Sequence, residues 1–216
     1  MFKSLLITLV SVGLLSACAS SPTAKEEKAK TDQVIAAAEK SGHANFIYGC
    51  SMTYWLFKTE PEECSIDDFA KAPDKAIIWE GVRNYQARNF LRDQVKTDDL
   101  VFIYHSSCKD IGIAGLAKVT RSAYPDPSQF NSLSPYFDAK SSNSKAPWVA
   151  VDLQFVEKFP QLLLLDKLKQ STKLEQLPLV KKGNRLSVMP VSSAEWQHII
   201  RMSKDKGNID EAGKTT

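Results

Sequence analysis

All four Trp and eight of the ten Phe of this chain lie between Met52 and Thr216, which confines any sizeable apolar core to that stretch. Its length suits about one domain on the scale of roughly 100 to 200 residues. With 43% hydrophobic and 25% charged residues, the 216-residue chain is not a disordered, collagenous or coiled-coil sequence. Setting aside the 5 basic and 4 acidic residues of 1–51 leaves 23 basic against 21 acidic. A near-neutral module cannot bind by bulk phosphate neutralisation, so any nucleic-acid contact must be local.

The first 51 residues read differently. A basic start at Lys3, an apolar run from Leu5 to Leu15 and the ending Leu15-Ser16-Ala17-Cys18 form a signal-peptide pattern over 1–18. The run is too short for a bilayer, which takes about 20 apolar residues. Leu-Ser-Ala-Cys resembles a bacterial lipobox, which implies Cys18 as a lipidation site and a membrane as a partner only if the acyl chains are added; each buried CH₂ then contributes about 0.8 kcal/mol. Residues 19–51 read as a polar tether or, with 1–18, as a mis-called or fused extension, and 203–216 as a disordered tail.

From Met52 onward the apolar spacing predicts discrete elements. Thr53 to Lys58 reads as a buried strand stopped by Thr59-Glu60-Pro61. Ser65 with Asp68 three residues on predicts a capped short helix. Ala87, Phe90, Leu91 and Val95 mark the apolar stripe of a helix beginning at Asn84, with Arg88 and Arg92 on another face. Leu100–Tyr104, Ile113–Thr120, Trp148–Phe159 and Leu186–Val191 read as strands of an antiparallel sheet, Leu165–Gln170 as a helical turn, and Ser192 with Glu195 as the capping box of a last helix. Tyr124 to Pro147, rich in Ser, Pro, Asn and Asp, is a long loop of the kind that carries function or disorder. Without βαβ alternation, this favours an α+β or small-barrel fold over a doubly wound sheet.

The densest chemistry lies in Trp79 to Asn89. It offers an aromatic ring, a permissive Gly81, the Arg83 guanidinium and the Asn84 amide at a helix start, where free N–H groups can meet an anion or a base edge. The same residues also serve ordinary structure: Asn84 as a cap, Trp79 as core, the arginines in solvent. His105-Ser106 with Cys108 nearby permits a hydrolase reading. Adjacent residues of an extended strand face opposite ways, however, and no Gly-x-Ser-x-Gly elbow is present. Three His, one of them the tether's His43, leave little for a metal site, and no glycine-rich phosphate loop suggests a nucleotide; no cofactor and no metal are expected. Cys64 and Cys108 read as free, mostly buried thiols of a reduced cytoplasm, although a pairing between them stays open.

Tyr54 to Pro61, Trp79 to Asn89, Phe102 to Ser106, Gly112 to Gly115, Tyr124 to Pro127 and Arg185 to Val188, in that order, closely resemble the EVE domain over 52–202. The resemblance implies an α+β, PUA-like fold, a small mixed β-barrel with peripheral helices. It implies non-catalytic recognition of a modified nucleobase, such as methylated or hydroxymethylated cytosine, in DNA or RNA. Carried over by motif, the pocket comprises Lys58, Thr59, Trp79, Val82, Asn84, Tyr85, His105, Ser106, Arg185 and Ser187, while Arg83, Arg88, Arg92 and Lys96 are candidate contacts to the nucleic-acid backbone. Thr59 stands where the family usually has Ser, Met189 where Gln is common, and Ala139 where Pro often follows Tyr-x-Asp. A base reader belongs in the cytoplasm, with translation starting at Met52; an envelope lipoprotein holding a small planar ligand is the competing expectation, and a small hydrolase acting on modified nucleosides or RNA is the enzymatic one.

Overall fold

The computed structural model describes residues 53–205; the signal-like segment, Cys18, the tether, Met52 and the tail from 206 onward lie outside the described residues. Six strands form one mixed sheet: β1 (Tyr54–Thr59), β2 (Ile77–Trp79), β3 (Leu100–His105), β4 (Gly112–Pro125), β5 (Val149–Leu164) and β6 (Val188–Val191), in the order β2-β5-β4-β3-β1-β6. Among the described residues four α-helices accompany it: α1 (Ile66–Lys71), α2 (Tyr85–Asp93), α3 (Leu165–Gln170) and α4 (Ser193–Lys204).

Strands β1 and β3 are apolar on both faces because the sheet is covered on both sides. Trp55, Phe57, Val101 and Ile103 pack with Ile66, Phe69, Ala87 and Leu91 of α1 and α2. Leu56, Phe102 and Tyr104 pack with Leu168 of α3 and Trp196, Ile199 and Ile200 of α4. The Trp196 ring stacks on Phe102 with centroids 3.9 Å apart and on Tyr54 at 4.5 Å. Trp55 Nε1 donates to the buried Asp99, whose carboxylate also accepts from the Thr53 and Lys96 backbone N–H groups. The pairing of β4 with β5 shifts register repeatedly, and each bulge bends the ladder.

Three features differ from the sequence reading. The sheet is mixed, as the family resemblance implies, and not antiparallel as the apolar spacing alone suggested, since β1 and β3 run parallel. The 40 residues joining them include α1, β2 and α2, a crossover long enough to bring the chain back in the same direction. Strand β2, three residues long, was not among the expected elements; it pairs with Val151–Leu153 of β5, far along the chain. Helix α4 continues to Lys204, two residues into the expected tail. Both capping boxes form as spaced, Ser65 with Asp68 and Ser192 with Glu195.

Candidate functional site

A cleft of about 650 Å³ opens where the ends of β1 and β3 meet the β2–α2 connection, a volume suited to a compact ligand. Seven of the ten pocket residues expected from the sequence line it: Lys58, Thr59, Trp79, Val82, Ser106, Arg185 and Ser187. The register of the sheet gathers them, because β1 and β3 pair Thr59 with His105 while the Lys58 N–H bonds Ser187 O at 2.8 Å.

The cleft's polar groups are already partly committed. Thr59 Oγ1 donates to Cys64 O at 2.9 Å and Ser106 Oγ to Thr59 O at 3.1 Å. Half-burial holds the Lys58 ammonium below its usual pKa, and its Nζ lies 5.8 Å from the Tyr104 ring centroid. Trp79 is only 6% exposed and tilts against Phe57 at 5.4 Å, so its indole is a fixed wall of the cleft anchored in the core rather than a free plate.

Three expected pocket residues lie elsewhere. Asn84 caps α2 through Oδ1, accepting from the Ala87 N–H at 3.0 Å. Tyr85, 63% exposed, packs on Trp148 outside the cleft. His105 faces a second hollow of about 390 Å³ with Cys108 and Lys158. Its Nε2 accepts from the Ile66 N–H at 3.1 Å, which makes the ring a cap for α1 and requires that nitrogen to be unprotonated. Burial lowers the His105 pKa, Asp67 raises it and Lys158 lowers it again. His105 and Ser106 thus serve different partners, as alternation along a strand dictates.

The candidate backbone cations divide as well. Arg83 is inside the fold: Nη1 bonds the fully buried Asp126 at 2.7 Å, Nε and Nη2 both donate to Tyr136 O, and Nη2 also reaches Ser128 Oγ at 3.1 Å. That commitment removes it from the backbone-contacting set. Arg88 lies over the Tyr85 ring at 4.9 Å and bonds Pro147 O at 3.0 Å, and Arg92 pairs with Asp93 on the surface. Lys96 is exposed just beyond α2.

Two contributions escaped the sequence reading. Tyr136, from the 127–147 loop, lines the cleft; its ring lies against Gly81, where an added Cβ would meet Tyr136 Cε2 at 2.7 Å. Gly81 adopts φ +80°, and its N–H donates to Asp126 Oδ2 at 3.0 Å. The Tyr-x-Asp of Tyr136 to Asp138 was the available signal. The second is acidity. Glu60, Glu63, Asp68 and Glu80 line the cleft against Lys58 and Arg185. Partial burial first, then the Asp126 charge, raises the Glu80 pKa, with Arg83 opposing. Asp68 is bonded by Lys71 and Ser65 and Glu63 by Tyr136, so the lining offers both acceptors and donors and suits an uncharged ligand carrying N–H groups.

Cys64 and Cys108 are both free thiols, and burial foremost, with Asp68 and Glu63, pushes the Cys64 thiol up to about 11. Among the described residues, no group of three or more His, Cys, Asp or Glu side chains is placed to hold a metal ion, and no helix is long and apolar enough to cross a membrane.

The EVE domain family model matches residues 53–202. Mouse thymocyte nuclear protein 1 is 40% identical over 167 residues, covering 70% of this chain and 74% of the relative. Among solved structures, a protein of Pseudomonas syringae is 51% identical with a TM-score of 0.67, over 69% of this chain and 99% of that one. Human THYN1 protein, crystallised in complex with 5-methylcytosine-containing DNA, is 37% identical with a TM-score of 0.65, over 71% of this chain and 99% of that one.

Proposed function

Because this chain belongs to the EVE domain family, we propose that residues 53–202 read a modified base, 5-methylcytosine in the first instance, by taking it into the Trp79–Tyr136 cleft without altering it. The single observation that carries the reading is the cleft itself, a hollow walled by two aromatic rings and lined by carboxylates. The homologous human protein bound to 5-methylcytosine DNA supports it.

The chemistry follows from the lining. An ionised carboxylate accepts from the exocyclic amino group of cytosine, while the apolar atoms of Trp79, Val82 and Ile77 offer van der Waals contact to a ring and its methyl group. Extruding a base costs a few kcal/mol, which the cleft must return. A methyl group adds about 1 to 3 kcal/mol of discrimination, so the expected preference is moderate rather than absolute. Phosphates stay outside the acidic cleft, toward the Arg88 and Arg92 face of α2.

A non-catalytic role fits the separation of His105 from Ser106, whose polar atoms are engaged by Ile66 and Thr59 respectively. The reading also requires the module to meet nucleic acid, hence a cytoplasmic location; a lipidated Cys18 peptide in mass spectrometry of the native protein would remove it. The direct test is a titration of the chain against matched oligonucleotides carrying cytosine, 5-methylcytosine or 5-hydroxymethylcytosine, in DNA and RNA. Tighter binding of a modified form supports the proposal, and equal binding of all forms refutes it.

A further inference from the structure

Resting on that base-reading function, we propose that Leu133 is the wedge that enters a duplex and occupies the space vacated by the extruded base. Six large hydrophobic side chains are exposed among the described residues: Ile78, Tyr85, Phe130, Leu133, Phe137 and Leu164. Single exposed hydrophobics need no explanation, and Leu164 at the end of β5 is one such, but the other five are grouped. Ile78 lines the cleft, Phe130, Leu133 and Phe137 belong to the loop that supplies Tyr136, and Tyr85 packs on Trp148 at that loop's far end. Leu133 is 91% exposed, the most exposed of the set.

A wedge must also be stiff, because an apolar side chain on a floppy tip loses conformational entropy when it inserts. The Leu133 backbone is held. Its N–H donates to Asn131 Oδ1 at 3.0 Å, Ser134 N–H to Asn131 O at 2.9 Å, Tyr136 N–H to Ser134 Oγ at 3.1 Å and Phe137 N–H to Ser134 O at 3.1 Å. The loop is rooted by Gln129 Nε2, which donates to Asp126 O and Trp148 O, and by Arg83, which grips Tyr136 O. This is the work that Arg83 does in place of touching phosphate.

Placement fits the task. Leu133 and Tyr136 are three positions apart in the chain, so their Cα atoms lie within about 11 Å, a few base-pair steps at most. Arg88, bonded to Pro147 O, supplies a cation at the far end of the same loop. Apolar side chains inserted between base steps are an established way to hold a distorted duplex. The acids Glu63 and Asp138 are tied to Tyr136 and Trp148 respectively, and Lys140 and Lys145 lie farther along the same loop.

The test compares the chain with Leu133→Ala, an exposed position whose truncation leaves folding intact. Each is titrated with a duplex holding one 5-methylcytosine beside 2-aminopurine, with the single strand of the same sequence, and with the plain-cytosine counterpart of each. The expected result is about tenfold weaker duplex binding by the variant, a loss of the 2-aminopurine fluorescence rise, and unchanged single-strand binding. Duplex binding within about twofold of the parent chain, or equal losses on both strand forms, overturns the wedge. Failure of the unaltered chain to prefer 5-methylcytosine in the single strand, where no gap needs filling, overturns the base-reading function instead.

Discussion

Tyr136 donates its phenolic hydrogen to Glu63 Oε1 at 2.6 Å, tying the 127–147 loop to the chain segment that follows β1. Burial first, then the hydrogen bond to Glu63 and the charges of Glu63 and Glu60, lifts the Tyr136 phenol to about 12, so it stays a donor at any physiological pH. Tyr136→Phe keeps the ring and removes only the tie. It is expected to weaken binding of the modified base by roughly threefold to tenfold, the worth of one hydrogen bond of about 0.5 to 1.5 kcal/mol. Fluorescence anisotropy with labelled oligonucleotides measures it, and an unchanged affinity means that the tie does not order the cleft.

Gly81 makes the other side of the same contact. A Cβ there would press on the Tyr136 ring at 2.7 Å while the residue sits at φ +80°. Gly81→Ala therefore pays about 1 to 2 kcal/mol for the left-handed backbone and displaces the ring as well. Urea denaturation should show a loss of about 1 to 3 kcal/mol, accompanied by a loss of base preference larger than that of Tyr136→Phe. Gly183, also at positive φ, has nothing within 4 Å of the corresponding position and provides a control with the backbone cost alone.

These two residues show where sequence reasoning reaches and where it stops. Strands β1 and β3 were legible because both faces are buried and the apolar run is unbroken, and the helix starts were legible because Ser65, Asn84 and Ser192 carry their own caps. The parallel pairing of β1 with β3 depends on a register set across 40 residues, and β2 takes its identity from a partner more than 70 residues away, so neither has a local signal. At the site, Lys58, Thr59, Ser106 and Ser187 follow from strand ends that converge, readable through family resemblance. Asn84, Tyr85 and His105 lie in the same motifs but the motif does not say which way each side chain turns; helix capping took Asn84 and strand alternation took His105. Tyr136 comes from a Ser- and Pro-rich segment without periodicity, where only the folded loop reveals that it faces Gly81.

Trp79 illustrates why burial must be known before a binding variant is chosen. At 6% exposure and packed on Phe57, its truncation to Ala is expected to cost about 3 to 5 kcal/mol and to unfold much of the protein, which confuses binding with stability. Trp79→Phe retains the packing and narrows the aromatic wall. The expected outcome is native-like circular dichroism with a melting temperature reduced by a few degrees, and a reduced preference for modified over plain cytosine. A full preference in a folded Trp79→Phe protein would show that the indole is only core.

Arg88, whose guanidinium also bonds Asn89 Oδ1 and Pro147 O on the surface, and the exposed Lys96 are the candidate cations left for phosphate, since Arg83 is spent inside and Arg92 is paired with Asp93. Arg88→Ala should weaken binding to modified and plain oligonucleotides alike. The slope of log affinity against log salt should fall by about 0.9 for one lost phosphate contact. Titrations at several salt concentrations decide it: an unchanged slope places the phosphates elsewhere.

Asp126 sets the acid limit of the site. Burial alone would raise its pKa, but hydrogen bonds from Ser128 and Arg83, the Gly81 N–H and the Arg83 charge together bring it below the ordinary carboxylate value. A carboxylate with a depressed folded pKa contributes stability that is present above its unfolded pKa, about 3.9, and is lost as pH falls through the folded one. The protein should therefore lose stability in acid below about pH 4, and Asp126→Asn should flatten that part of the profile. At neutral pH the same variant leaves Arg83 partly buried without its partner, a loss of about 3 to 5 kcal/mol for a broken buried pair, and it frees the loop that carries Leu133 and Tyr136. Denaturant unfolding of both proteins between about pH 3 and pH 7 reads both effects, with the difference in stability between them shrinking toward the acid end. A constant difference across that range would mean that the buried carboxylate does not titrate with folding, and that the loop is held by contacts other than the Arg83–Asp126 pair.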